Sequence, residues 1–356
     1  MIEPTIYSRK SPIPYGLYFC IIIILYLSLV FYTFPDALDL TRYYEGAIRD
    51  AKQFSDTYEY LGYLFDNDID FIYSLSLYLA QKYGLSMNIV TTLYLSIYYI
   101  CCCELIRRNI GSMNNIPKII FLYAALSAPF IWVQEISRNL AAISFIYLAF
   151  LAYQNKNKKW AITFTIASIF THISMIVYVL VFIVALVCRN KVISLNRRIL
   201  TVSFILLIIV GYLMPSYIID AMAFIAESSQ SRYSYYADME NEIPLLTNAI
   251  GYGDKIPMFF IYIYSIYLVI VNKKNDLYYW ILLMLTGLLS FAIFSSLMLT
   301  NRIIMLMPLF ISANVCSILS GKQCKYKNVI RLLSIIGMFC VVAHLYAYRT
   351  VFSLSV

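Results

Sequence analysis

The sequence predicts an all-α, polytopic integral membrane protein with about 10–12 transmembrane helices, a single multi-span domain and two large outer loops. Three observations carry this. Of 356 residues, 62% are apolar and 13% charged, with a mean hydropathy of +0.74, whereas a soluble domain carries roughly a quarter of its residues as Asp, Glu, Lys or Arg. The apolar runs, such as Phe19–Phe34 and Ile199–Leu213, are continuous. They lack the alternation of a membrane β-barrel. The basic residues cluster between alternate runs. In lipid every backbone polar group must be paired within the protein, which leaves helices as the fitting element.

A hydrocarbon core of roughly 30 Å needs ~20 helical residues. Spans are predicted over about 15–34, 85–106, 117–133, 136–154, 160–188, 199–215, 256–272, 277–299, 303–320 and 332–348. Arg9 and Lys10 ahead of the first run resemble a signal peptide. No small-residue cleavage site follows, so this run reads as an uncleaved helix. Residues 70–83 are too short to span and read as an amphipathic helix on the outer surface. No linker or composition shift divides residues 1–356.

Charge orients the bundle. With the N-terminus inside, the cytoplasmic connections hold 18 of the 27 basic residues, including Lys156, Lys158, Lys159, Arg189, Arg197 and Arg198, but only 3 of the 19 acids. This is the positive-inside pattern of a bacterial inner membrane. It imposes a constraint. Asn155–Lys159 and Arg189–Arg198 both read as cytoplasmic, yet one long apolar stretch, Trp160–Cys188, separates them. A single crossing would put the second basic group outside. Two shorter helices bent near Thr171-His172 keep both inside, and interrupted helices are tolerated where they line a cavity.

The outer segments span about 35–84, with nine acids, and about 216–255, with Arg232 and the cluster Tyr233, Tyr235 and Tyr236. Neither contains cysteine, so no disulfide framework is expected where one would persist. Cys101, Cys102 and Cys103 read as small packing residues. The two histidines, His172 and His344, are far apart, which disfavours a histidine-rich metal site. No phosphate-binding loop, dinucleotide fingerprint or nucleophile elbow is present.

Ionisable groups at membrane depth are costly and mark function. Arg138, in Gln134-Glu135-Ile136-Ser137-Arg138-Asn139, opens a span at its outer end, and Arg302 begins another. His172 lies about twelve residues above the cytoplasmic edge, roughly 18 Å at the helical rise. With Arg232 these residues suit a site for an anion, because guanidinium offers a fork of donors with a permanent charge. The competing readings are snorkelling, an ion pair of Arg138 with Glu135, and a satisfied polar contact for His172.

Arg138, the basic turn Asn155–Lys159, and then His172 with Ser174 resemble the EpsG family of Wzy-type polysaccharide polymerases. Asp39-Leu40-Thr41-Arg42-Tyr43, Arg232-Tyr233 and Arg302 fall where that family carries similar features. The chain departs from the pattern at Ala37-Leu38, where Gly is frequent, and at Asn139, where Gln is frequent. The resemblance implies glycan repeat units on undecaprenyl pyrophosphate in the outer leaflet as substrate. It implies transfer of the growing glycan to the non-reducing end of a new lipid-linked repeat, as in O-antigen, capsule or exopolysaccharide synthesis. It leaves room for a chain-length regulator protein as a partner, and calls for no metal, nucleotide cofactor or nucleic acid. On this reading Arg138 and Arg302 hold the pyrophosphate, with Arg232, Asn139 and Ser174 as further substrate contacts. His172, Glu135 or Asp39 takes the acceptor proton, and Tyr43, Tyr233 and Tyr235 stack on sugar rings. The alternatives are a lipid-phosphate-dependent glycosyltransferase, with Asp36 and Asp39 as its acidic pair, and a glycolipid flippase or transporter.

Overall fold

The computed structural model describes residues 15–30, 39–67, 70–109, 137–172, 174–189, 196–213, 252–272, 276–293 and 297–320, with isolated positions between 328 and 336. Among the described residues there are twelve α-helices and no strand. They are α1 (Tyr15–Val30), α2 (Asp39–Gln53), α3 (Thr57–Asn67), α4 (Phe71–Lys82), α5 (Met87–Asn109), α6 (Ser137–Gln154), α7 (Lys158–Thr171), α8 (Met175–Arg189), α9 (Arg197–Leu213), α10 (Tyr252–Val271), α11 (Leu277–Ala292) and α12 (Leu297–Ser320). The predicted spans 117–133 and 332–348, and the outer segment 216–255 apart from the start of α10, lie outside the described residues.

The centre of the bundle is formed by α5, α6 and α12, which run parallel. Ser144 Oγ donates to the Tyr94 carbonyl at 2.7 Å, the Tyr98 and Tyr147 rings stack at 5.2 Å, and Arg108 donates to Asn155 Oδ1 at 2.7 Å. These contacts lock α5 and α6 in register from one end to the other. Pro308 sits inside α12, where its ring crowds the carbonyl four residues earlier and its missing N–H frees a backbone acceptor. Tyr98 and Tyr147 donate their hydroxyls to the nearby Met305 and Leu306 carbonyls, each at 3.3 Å. Side chains of the two neighbouring helices thus bond the carbonyls just ahead of Pro308, a few residues after Arg302.

The predicted bend at Thr171-His172 is present. His172 is extended (φ −162°, ψ 118°) and terminates α7, and α8 starts three residues later. The two helices form a V. Arg189 Cζ, at the end of α8, lies 5.6 Å over the ring of Tyr153, at the end of α6. A cavity of about 310 Å³ is lined by Ile162 and Thr165 from early α7 and by Phe182 and Leu186 from late α8. Both open ends of the V therefore lie beside the end of α6, and its apex carries His172. Ser168 Oγ donates to the Ala142 carbonyl at 2.8 Å. The small side chains of Ala141 and Ala142, both fully buried, permit that approach.

The segment 35–84, expected as a large outer loop with a helix at 70–83, holds regular structure. Its described part is a three-helix layer, α2–α4, folded onto one end of the bundle. Leu40, Tyr44, Ala47, Ala51 and Phe54 recur at helical spacing and make α2 amphipathic, a pattern that a search for long apolar runs passes over. Tyr44 bonds Asn88 and Thr91 of α5 at 3.0 and 2.8 Å, and burial pushes its phenol well above the usual range. Ser76 of α4 bonds the Tyr94 hydroxyl at 2.9 Å. The helix expected at 70–83 is α4. Instead of lying flat on a surface, it buries Tyr73, Leu77, Tyr78 and Ala80.

On the outside of the bundle, α1 and α7–α9 expose large aliphatic and aromatic side chains, among them Phe19, Ile24, Ile162, Leu180, Ile199 and Leu206. Met87–Leu105 is long and apolar enough to cross a bilayer. Met175–Arg189, Met258–Val271, Leu277–Ala292 and Arg302–Val315 are shorter apolar helices. Where α9 meets α11, a Cβ on Gly211 would stand 2.4 Å from the Phe291 carbonyl oxygen, so this crossing requires glycine.

Candidate active site at the apex of the broken helix pair

The V apex, the starts of α6 and α12, and the helical layer converge on one buried cluster. Asp70, the residue before α4, and His172 are 3% and 2% exposed. His172 Nδ1 lies 2.8 Å from Asp70 Oδ1. Arg138, the second residue of α6, pairs with the other oxygen of the same carboxylate. Its guanidinium carbon lies 4.4 Å from the centroid of the Tyr43 ring of α2, within reach of a cation–π contact. One carboxylate thus bridges a histidine and an arginine from separate elements, while the face of an aromatic ring lies against the arginine.

Arg302 completes the cluster from α12. Its charge acts on Asp70 and His172. It lies in the second turn of α12, which begins at Leu297, rather than at the helix start as expected from sequence. Its Nε is buried with no hydrogen-bond acceptor among the described residues. Burial alone would raise the carboxyl of Asp70, but His172, Arg138 and Arg302 together hold it below the ordinary carboxylate value. A carboxylate only accepts, so Nδ1 of His172 is the donor in this pair, and Nε2 carries the lone pair of the neutral ring. Such a histidine is oriented to accept a proton, next to cationic groups suited to an anion.

Among the residues singled out from sequence, the structure brings together Arg138, His172, Arg302 and Tyr43. Asn139 and Ser174 flank them, each with a buried side-chain oxygen that has no hydrogen-bond partner among the described residues. Asp39 is the first residue of α2, one turn before Tyr43. Glu135, Arg232, Tyr233 and Tyr235 lie outside the described residues. The ion-pair partner that the structure gives Arg138 is Asp70, which sequence reasoning counted among nine outer acids and did not single out. The available cue was its place immediately before the short helix 71–82, at the least polar end of an otherwise acidic segment.

No curated protein and no solved structure matches the chain. The EpsG family model matches residues 16–355, essentially the whole sequence. The chain belongs to the EpsG family, whose members are Wzy-type polysaccharide polymerases of exopolysaccharide and O-antigen assembly.

Proposed function

We propose that this protein is a multi-pass enzyme of the bacterial inner membrane. It joins undecaprenyl-pyrophosphate-linked repeat units at the outer leaflet, with its active site facing outward. The observation that carries the reading is the Asp70–His172 hydrogen bond set between Arg138 and Arg302. The exposed aliphatic faces of α1 and α7–α9 support a lipid setting, because a contiguous apolar surface of that extent is unfavourable in water. The basic ends of the V, Lys158, Lys159 and Arg189, support an inward placement of that side. The apex then faces outward.

In the reaction, the acceptor hydroxyl oxygen forms a bond to the anomeric carbon of the growing chain. The bond from that carbon to the pyrophosphate oxygen breaks, and its electron pair leaves with the pyrophosphate. His172 Nε2 takes the acceptor proton, and Asp70 stabilises the imidazolium that forms. Arg302 meets the charge that builds on the leaving pyrophosphate. Donors fixed in a buried site stabilise such charge more than mobile water does. Arg138 holds Asp70 in position and adds positive potential. The acid that the fold brings to the histidine is Asp70, which supports a proton-transfer role there rather than at Asp36 or Asp39.

Deletion of the gene should leave lipid-linked single repeats and no ladder of longer glycans on electrophoresis, with export continuing. A copy carrying His172→Gln should restore membrane abundance and not the ladder. Repeats accumulating on the cytoplasmic leaflet would instead indicate a flippase.

A further inference from the structure

We infer that the cleft between α2, α3 and α4 is a saccharide subsite that takes an uncharged pyranose ring of the glycan and feeds it to the Asp70–His172 centre. This rests on the polymerase reading for the identity of the glycan, and on the cleft itself for the chemistry of the ligand. The cleft is a cavity of about 490 Å³, within the roughly 300–1,000 Å³ typical of small-molecule sites.

Its construction is layered. Tyr60, Tyr73, Leu64 and Leu77 are buried and form the floor, and the partly exposed rings of Tyr43 and Tyr63 form walls. Tyr60 and Tyr63 lie nearly parallel, 25° apart with centroids at 6.2 Å, while Tyr43 stands edge-on to Tyr73 at 5.7 Å. Aromatic faces beside polar groups suit a ligand with apolar C–H faces and a girdle of hydroxyls, because the rings offer flat apolar area and phenols that bond. The polar groups are two guanidiniums, Arg42 and Arg49, and two carboxylates, Glu45 and Asp50. Asp50 accepts from the Tyr60 hydroxyl at 3.1 Å and lies 3.5 Å from Arg49 Nε.

The charges balance, which distinguishes this cleft from the Arg302 site. It offers both donors and acceptors to hydroxyls and no net attraction for pyrophosphate. Its link to the reaction centre is direct. Tyr43 lines the cleft and its ring also lies against the Arg138 guanidinium, so one aromatic ring separates the bound sugar from the charged cluster.

Gly46 provides a test that leaves the helix intact. It lines the cleft, and a Cβ there would meet nothing within 4 Å. Gly46→Leu therefore has open space at its Cβ, adds apolar bulk at the cleft and favours the helix. Gly62 in α3 is equally open but does not line the cleft, and Gly62→Leu is the matched control. The probe is the repeat-unit oligosaccharide released from the host cell's surface glycan by mild acid, free of lipid and phosphate. Its binding to the purified full-length protein in nanodiscs is read by saturation-transfer NMR.

The wild type, Gly62→Leu and Arg302→Lys should bind the oligosaccharide with similar affinity. Gly46→Leu and Tyr63→Ala should each bind at least tenfold more weakly. Failure of the wild type to bind, or undiminished binding by both cleft variants, overturns the inference. A ladder that persists after deletion of the gene overturns the polymerase reading and leaves the cleft result standing, so the two failures are distinguishable.

Discussion

Asp70 and His172 are separated by 102 residues in the chain, and the carboxylate Oδ1 of one meets the ring Nδ1 of the other at 2.8 Å. Both are buried, and Arg138 holds the second carboxylate oxygen. Asp70 thus has two separable duties: to orient the histidine and to neutralise a guanidinium. Asp70→Asn keeps an oxygen that can accept from Nδ1–H but loses the charge. Removing one member of a buried ion pair costs about 3–5 kcal/mol, so membrane abundance should fall. In Asp70→Asn combined with Arg138→Gln abundance should recover, because no buried charge is left uncompensated. Polymerisation should remain reduced by about 10²–10⁴-fold, the usual scale of general acid–base contributions. Ladder electrophoresis at matched protein level measures this. A double variant that polymerised normally would remove Asp70 and Arg138 from the mechanism.

The same carboxylate sets a pH dependence of stability. Folding lowers its pKa below the ordinary value of 3.8, so between the two values the unfolded chain binds the proton and the folded chain does not. The contribution of Asp70 is therefore fully present above the unfolded value and is lost as pH falls through the folded one. Thermal unfolding of detergent-solubilised protein should show a constant gap between wild type and Asp70→Asn from pH 8 to pH 5. The gap should narrow only below about pH 4. Narrowing between pH 7 and pH 5 would mean that burial outweighs the flanking cations.

The bend at His172 was legible because charge bookkeeping requires it. Two basic connections on one side cannot flank a single crossing, and Thr171-His172-Ile173-Ser174 is the polar interruption available between them. Arg138 and Arg302 were legible as cations placed where topology disfavours them. Asp70 was not, because nine acids share its segment and depth depends on how α2–α4 fold onto the bundle. That layer is amphipathic and short. Hydropathy over a span-sized window averages Leu40, Tyr44 and Ala47 with the acids between them, and so reads the layer as loop. The cleft was invisible for the same reason, since Tyr43, Tyr63 and Tyr73 come together only when three helices pack.

The two arginines should respond differently to lysine. Arg302 Nε has no hydrogen-bond partner among the described residues, and the proposed partner of this guanidinium is the substrate pyrophosphate. Arg302→Lys keeps a charge but loses the planar fork that meets two phosphate oxygens at once. It should fold to wild-type abundance and polymerise about tenfold or more slowly. Arg138→Lys preserves a cation for Asp70 but gives up stacking on Tyr43, a contact worth about 0.5–2 kcal/mol. It should mainly lower thermal stability, with a smaller loss of rate. Equal behaviour of the two variants in both assays would contradict the division of labour between binding the leaving group and holding the carboxylate.

The V-shaped pair α7–α8 makes a topological prediction for the membrane. Asn157 caps α7 at one open end of the V by accepting from the Trp160 N–H at 3.3 Å, and Asn196 follows the other end in sequence, just before α9. The cation–π contact of Arg189 with Tyr153 ties the end of α8 to the end of α6, and the proposed topology puts both positions on one side of the bilayer. The basic residues around them support the proposed cytoplasmic placement of that side. Single cysteines introduced at Asn157 and at Asn196, in a background stripped of native cysteines, should both resist a membrane-impermeant thiol reagent applied to spheroplasts. Both should label after lysis. Labelling of position 196 alone from outside would mean that α7 and α8 cross as one helix. The His172 apex would then lie within a continuous span, and the outward-facing site built on it would be lost.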